Sequence, residues 1–157
     1  MREIVMLDRL DKRILGELQK DASLSNAELA ERVGSSGPSC WRRIRQLEEA
    51  GVLGRTVRLA NQALLGKSVN MICSVRMRTF EAESIAAFER FIADETRVME
   101  CFSMSGEWDY LLRVIASDVA DYEQFLMHRL LKHPSVASAS SHLALRIAKY
   151  ETAIPTD

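Results

Sequence analysis

The segment from Leu24 to Leu53 constrains the chain most, because it holds two short amphipathic helical patterns with a turn between them that neither can cross. Ser25 followed by Glu28 is a capping box, in which each side chain satisfies an unpaired amide at a helix start. Leu29, Ala30 and Val33 give that helix a buried stripe, and Gly34 stands where a left-handed terminating residue is wanted. Ser35, Ser36 and Gly37 make the turn, and Pro38 falls in the first turn of the next helix, where its missing N–H is harmless. At about 100° per residue, Cys40, Ile44 and Leu47 of that helix share one face. Ser39, Arg42, Arg45 and Gln46 lie opposite, with Trp41 and Arg43 on the flanks.

Helix, glycine-bearing turn and basic second helix form a helix-turn-helix arrangement. Arginine forks onto guanine, glutamine onto adenine, and serine takes base edges or phosphate, so the polar face suits a duplex groove. Taken alone, the same face also suits an ordinary surface helix. Charge distribution adds to the first reading. The formal net charge of −1 speaks against a general nucleic-acid binder. Yet residues 1–60 carry 11 basic and 9 acidic side chains, and six arginines stand between Arg32 and Arg58 against Glu48 and Glu49. Such a split fits a protein that touches DNA at one place.

Ahead of this segment Leu7, Leu10, Ile14, Leu15 and Leu18 recur at helical intervals, with Asp8 and Asp11 where carboxylates suit a helix dipole. After Gly51, residues 52–59 are extended in character, and form either a wing that brings Arg55 and Arg58 to phosphate or a bare connection. A helix-turn-helix domain is expected over 1–60, a linker over 61–68 and a second domain over 69–157. In the latter, Val69–Met77, residues 98–104, 109–115 and 136–150 read as strands, and residues 81–94 and 118–132 as helices. The fold class is therefore α+β, a (winged) helix-turn-helix followed by a ferredoxin-like βαββαβ domain. Large apolar residues fall on both faces of the four-stranded sheet, which implies a second copy across the face the helices leave open.

Cys40, Cys73 and Cys101 show no metal or redox spacing and read as small buried thiols, with a redox switch at Cys40 the alternative. No histidine pair has ligand spacing, so no metal is expected. A nucleophile beside a base and a phosphate-binding glycine loop are both missing from the pattern, so an enzyme is not expected. The start, Met1 to Leu7, lacks the apolar stretch and cleavage site of a secretory signal, and no run reaches membrane-spanning length, so a cytoplasmic location is expected.

Leu7-Asp8-Arg9-Leu10-Asp11, Ile14-Leu15, Leu18-Gln19, Leu29-Ala30, Val33-Gly34, Cys40-Trp41-Arg42-Arg43-Ile44, Leu47-Glu48 and Gly51-Val52 resemble the amino-terminal domain of the Lrp/AsnC transcription regulators. Ser105-Gly106-Glu107-Trp108-Asp109-Tyr110-Leu111-Leu112-Arg113-Val114 resembles the signature of that family's effector domain. The turn departs from the family pattern, which commonly has leucine where Ser35 stands and proline where Gly37 stands. The resemblance implies a regulator of amino-acid metabolism that binds double-stranded DNA and assembles as homodimers joining into tetramers or octamers. It places Ser36, Ser39, Trp41, Arg42, Arg43 and Gln46 toward DNA, to which the charge pattern adds Arg45 and Arg55. It implies no cofactor but an amino-acid effector at the loop carrying Ser103, Met104, Gly106, Glu107, Trp108, Asp109 and Tyr110, walled by Asp118 and Val119 of a neighbouring subunit. Gly106 permits close backbone approach and Asp109 can pair with an ammonium. By spacing alone, the same loop is a hairpin turn in which Asp109 satisfies local amides. The alternative to an effector-responsive regulator is an architectural DNA-wrapping protein that needs no small molecule.

Overall fold

The computed structural model describes residues 5–156; residues 1–4, with the opening of the amino-terminal stretch read above, and residue 157 lie outside them. The chain forms two compact units, Met1–Arg58 with Lys149–Asp157, and Leu59–Ala148. No helix among the described residues is long and apolar enough to cross a membrane.

Three helices make the first unit: α1 (Arg9–Lys20), α2 (Asn26–Val33) and α3 (Gly37–Glu49). Each start is capped by a side chain suited to the task. Asp8 and Asp11 form a capping box on α1, Ser25 and Glu28 another on α2, and the Ser36 hydroxyl accepts from the Ser39 amide on α3. Gly34 ends α2 at φ 61°, a conformation that would strain a residue with a Cβ. Ile14, Leu15, Leu29, Ala30, Val33, Cys40 and Leu47 are buried together between the helices. Each large aliphatic side chain there is worth roughly 1.5–3 kcal/mol of burial.

Residues 54–60 pair with no strand among the described residues. One expectation for this unit changes. The carboxy-terminal stretch, assigned above to the second domain within 69–157, belongs with the first unit. The reason is a local set of hydrogen bonds: the Gln19 amide donates to the Ile154 carbonyl at 3.0 Å and accepts from the Ile154 N–H at 2.7 Å. The Thr156 hydroxyl donates to the Lys12 carbonyl at 3.3 Å. The last strand accordingly stops at Leu143, short of the expected residue 150.

The second unit runs β1 (Val69–Met77), α4 (Ala82–Asp94), β2 (Val98–Ser103), β3 (Tyr110–Ala116), α5 (Val119–Phe125, continued by a π-helical turn over Leu126–Leu130) and β4 (Val136–Leu143). All strand pairs are antiparallel, in the order β2-β3-β1-β4. Alternation along β1 and β3 sends Met71, Cys73, Val75, Met77, Tyr110, Leu112, Val114 and Ala116 to one face, where Phe88, Ile92, Tyr122 and Phe125 of the helices complete the core. The opposite face is mixed. Phe102, Leu111, Ile72 and Ile115 lie there with Asn70, Ser74 and an Arg113–Glu100 ion pair of 3.1 Å. Cys40 and Cys73 are buried, but Cys101 is exposed, because β2 is an edge strand interrupted by a bulge between Val98 and Glu100.

In the first turn of α5, the Asp121 carboxylate accepts from the Ser117 amide at 2.9 Å, the Ser117 hydroxyl at 3.0 Å and Arg97 Nε at 3.0 Å. The Ser117 amide foremost, then the hydroxyl and Arg97, hold this carboxyl at about 2, against an ordinary value of 3.8. A depressed carboxyl contributes stability that is complete above its unfolded pKa and lost as pH falls through the folded one. Stability against urea is expected to fall between about pH 4 and pH 2, and Asp121→Asn should be less stable than the wild type at pH 7 and flatten that part of the profile.

Candidate DNA and effector sites

Helix α3 carries the first site. Its enclosed seam is formed by Cys40 and Leu47, both buried, with Arg43 and Ile44 half-buried between them. Trp41, Arg42, Arg45 and Gln46 are exposed, and Ser39 is half-buried near the amino-terminal end. The shifted proline takes the second helical position, so Ser36 remains free to act as the cap. Its hydroxyl accepts from the Ser39 amide at 3.4 Å, and its own proton stays available to an acceptor outside the protein.

The arginines differ in their partners. Among the described residues Arg42, Arg55 and Arg58 have no carboxylate within ion-pair distance, whereas Arg45 lies 3.5 Å from Glu48 with its guanidinium 5.9 Å from the Trp41 ring centre. Arg43 stands apart. Its Nη1 donates to Asp8 Oδ2 and to Asp11 Oδ1, both at 2.6 Å, and its Nε is buried. Asp11 and then Asp8 raise the guanidinium's already high pKa; the Asp11 amide and then Arg43 hold the Asp8 carboxyl below its usual range. The expectation that Arg43 faces DNA with Arg42 is therefore not met in this geometry. The helical wheel puts Arg43 on a flank, and position 43, three residues past Cys40 and four before Leu47, borders the buried seam closely enough for its guanidinium to turn to α1.

The second site is the loop between β2 and β3. Ser103, Met104, Ser105, Gly106 and Glu107 are exposed, and Trp108 and Asp109 half-buried. Gly106 has φ 127° and nothing within 4 Å of where a Cβ would stand. The loop is tied at its base: the Met104 amide donates to the Asp109 carbonyl at 2.8 Å, and the Asp109 amide to the Val75 carbonyl at 3.0 Å. Asp109 Oδ2 accepts from the Met77 amide at 2.7 Å, at the bulge between Arg76 and Met77. One carboxylate oxygen thus serves an amide of the neighbouring strand β1, 32 residues earlier in the chain, and not an amide of the hairpin itself. Arg76 was not singled out in the sequence, and it braces the loop. Its Nη2 donates to the Glu107 carbonyl at 3.0 Å and to Glu107 Oε1 at 3.1 Å, while its guanidinium stands 5.0 Å from the Trp108 ring centre. Its signal was the one charged side chain in a strand that otherwise alternates apolar residues with Asn70, Ile72 and Ser74.

Tyr110 corrects another expectation. It opens the inward-facing row of β3, is buried, and donates its hydroxyl to Glu89 Oε1 at 3.0 Å; burial and then Glu89 push its pKa to about 12. Its phenol belongs to the core and not to the loop surface. Asp118 caps α5 by accepting from the Asp121 amide at 2.8 Å, and Val119 is exposed beside it. These two follow the far end of β3, roughly 20 Å from the loop at about 3.3 Å per residue. Within one copy of the chain the two parts of the expected effector site stay separate.

Fold and site together define a class of protein: a helix-turn-helix DNA reader joined to a βαββαβ domain that carries a tied, glycine-bearing loop. The comparisons identify the family within that class. Residues 7–53 match the family model for winged helix-turn-helix DNA-binding, and residues 70–154 that for the Lrp/AsnC ligand binding domain. The chain is 39% identical over 150 residues to the Bkd operon transcriptional regulator of Pseudomonas aeruginosa, covering 95% of this chain and 97% of that one. It is 38% identical over 145 residues to the leucine-responsive regulatory protein of Rhizobium meliloti, covering 92% and 93%. A transcriptional regulator from Neisseria meningitidis, solved as a complex with L-methionine, superposes with a TM-score of 0.91 at 32% identity, covering 96% and 97% of the two chains. The chain belongs to the Lrp/AsnC family and is a DNA-binding transcriptional regulator with a ligand-binding domain.

The cap is open to direct measurement. Ser36→Ala should cost the helix-turn-helix unit about 1 kcal/mol in chemical unfolding, and Ser36→Gly only a few tenths.

Proposed function

We propose that this regulator controls genes of amino-acid metabolism from the cytoplasm, as an assembly of homodimers that binds a free amino acid between copies. The observation that carries the reading is the division of the candidate effector site. An open loop with an acidic side chain stands at one end of β3, and Asp118 and Val119 follow the other end. A second copy is the simplest means of joining them, and the mixed outer face of the sheet offers a surface for it. In such a site the amides around Gly106 receive a carboxylate and Asp109 Oδ1 an ammonium, the two charges that every free amino acid presents. The relative solved with L-methionine supports this ligand class.

On DNA, Ser36, Ser39, Trp41, Arg42, Arg45 and Gln46 form the reading face, with Arg55 on phosphate. Two such faces in a dimer read a pseudo-palindrome at a spacing near one helical turn or a multiple of it. Arg42→Ala should lower specific affinity by roughly 1–3 kcal/mol, whereas neutralising Arg55 should weaken all duplexes alike. Footprinting that is unchanged after both replacements would defeat the assignment.

The effector is tested by calorimetric titration with a panel of free amino acids that includes methionine and leucine. Binding is expected for at least one, and gel filtration should return no stable monomer at micromolar concentration. Asp109→Asn keeps an oxygen for the Met77 amide but removes the charge, and should weaken binding about tenfold or more with the fold intact. An unresponsive panel, with a footprint running over many helical turns, would favour an architectural protein that wraps DNA without a small molecule.

A further inference from the structure

The two carboxylates at the start of α1 divide their oxygens in a regular way. Asp8 Oδ1 accepts from the Leu10 and Asp11 amides at 2.8 Å and 2.9 Å, and Asp11 Oδ2 accepts from the Asp8 amide at 3.1 Å. Those bonds form the cap of α1. The remaining oxygen of each, Asp8 Oδ2 and Asp11 Oδ1, goes to Arg43 in the middle of α3. The cap of one helix is therefore also the anchor of the other. The Arg43 side chain is only 23% exposed and that of Asp11 17%, so both are sheltered, and Arg43 meets two negative charges with one positive. A DNA phosphate approaching this arginine would be repelled by both carboxylates. Arg42, one residue away, has no such partner among the described residues.

We infer that Arg43 is a positioning residue of the recognition helix, one that with Asp8 and Asp11 fixes the roll of α3 on α1 and does not itself hold DNA. The leverage is geometric. Side chains reach about 5–6 Å from a helix axis, so a roll of about 10° moves their tips by about 1 Å, enough to spoil a bidentate contact between Arg42 or Gln46 and a base edge. Contacts to phosphate are less demanding, because a charge acts over several ångströms. This inference rests on the reading of α3 as the base-contacting helix and assigns Arg43 a role inside it.

The test uses the full chain, with a duplex recovered by the wild type from a random library and a scrambled duplex of equal length, each titrated over a range of salt. Arg43→Met keeps the aliphatic stem and removes the ionic tie. It should weaken the recovered duplex about tenfold or more, leave the scrambled duplex within about twofold, and keep the salt slope unchanged. Asp11→Asn should lower the same ratio, although it removes a negative charge, and Arg43→Lys should restore part of it. A role in stability alone would leave the ratio of the two affinities unmoved well below the melting temperature. That result overturns the inference. So does an equal loss on both duplexes with a slope smaller by about 0.9, the mark of one lost phosphate contact. Tighter binding of both duplexes by Asp11→Asn would likewise show an arginine released for DNA. The fall in melting temperature of the double variant Arg43→Met/Asp11→Asn should be smaller than the two single falls combined, and simple additivity overturns the tie itself. A wild type that recovers no preferred duplex would instead remove the base-reading role of α3 and, with it, any positioning role; the melting temperatures would still report on the tie.

Discussion

The register between β1 and β3 is the constraint on which the second unit depends. Met71 lies opposite Val114, Cys73 opposite Leu112 and Val75 opposite Tyr110, so every second residue of two central strands faces the same pair of helices. A slip of one residue would send the whole row to the other face and bring Asn70, Ser74 and Arg113 inward. The same register fixes the loop chemistry. It sets Tyr110 under α4, where Glu89 takes its hydroxyl, and leaves Asp109 just outside the ladder, where it takes the Met77 amide. Strand alternation completes the arrangement: the Val75 carbonyl faces β3 and takes the Asp109 amide, so the Met77 N–H two residues on faces the same side and meets the Asp109 carboxylate. Loop position and core packing are one fact seen from two sides.

Much of this was legible in the sequence, for identifiable reasons. Strand β1 has the expected bounds, because its alternation is unbroken over nine residues and turn signals flank it. The boundaries of α2 follow from Ser25, Glu28 and Gly34, whose cap chemistry is local and therefore written in adjacent residues. What escaped was whatever required distant partners. Arg43 reads as a surface charge until Asp8 and Asp11, more than thirty residues earlier, are brought beside it. The carboxy-terminal stretch reads as the end of a strand, because Leu143, Leu145 and Ile147 keep alternating. Nothing in that alternation reveals that Gln19 holds the Ile154 backbone by both of its hydrogen-bonding groups. Cys101 and Tyr110 were misjudged for a related reason: apolar character is visible residue by residue, but edge position and strand phase are not.

The first unit is consequently assembled from two separated stretches of chain, and this bears on how it can respond to the second. A helix-turn-helix on a single flexible connection would receive little beyond an increase in local concentration. Here the stretch that follows the second unit, Lys149–Asp157, belongs to the first unit. Lys12, Gln19, Asp8 and Asp11 show α1 as the common support, with the tail along it and the recognition helix bound at its start. A change that moves α1 therefore moves the reading face as well. A change that leaves it alone alters only the distance between faces.

A binding site shared between copies obeys a linkage that a self-contained site does not. Ligand that requires both the loop at Gly106 and the wall at Asp118 stabilises only assemblies that bring them together, so its apparent affinity depends on protein concentration. Assembly state and ligand occupancy then become reciprocal: whatever favours one favours the other by the same free energy. DNA enters the same relation through geometry, since a duplex engages two recognition helices at once only in assemblies that space them to its pitch. An effector that selects a different assembly thus changes DNA affinity without touching α3, and by no more than its own preference for one assembly over the other. In the proposed assembly the loop and the capped recognition helix would need no direct contact, because an equilibrium among assemblies would couple them.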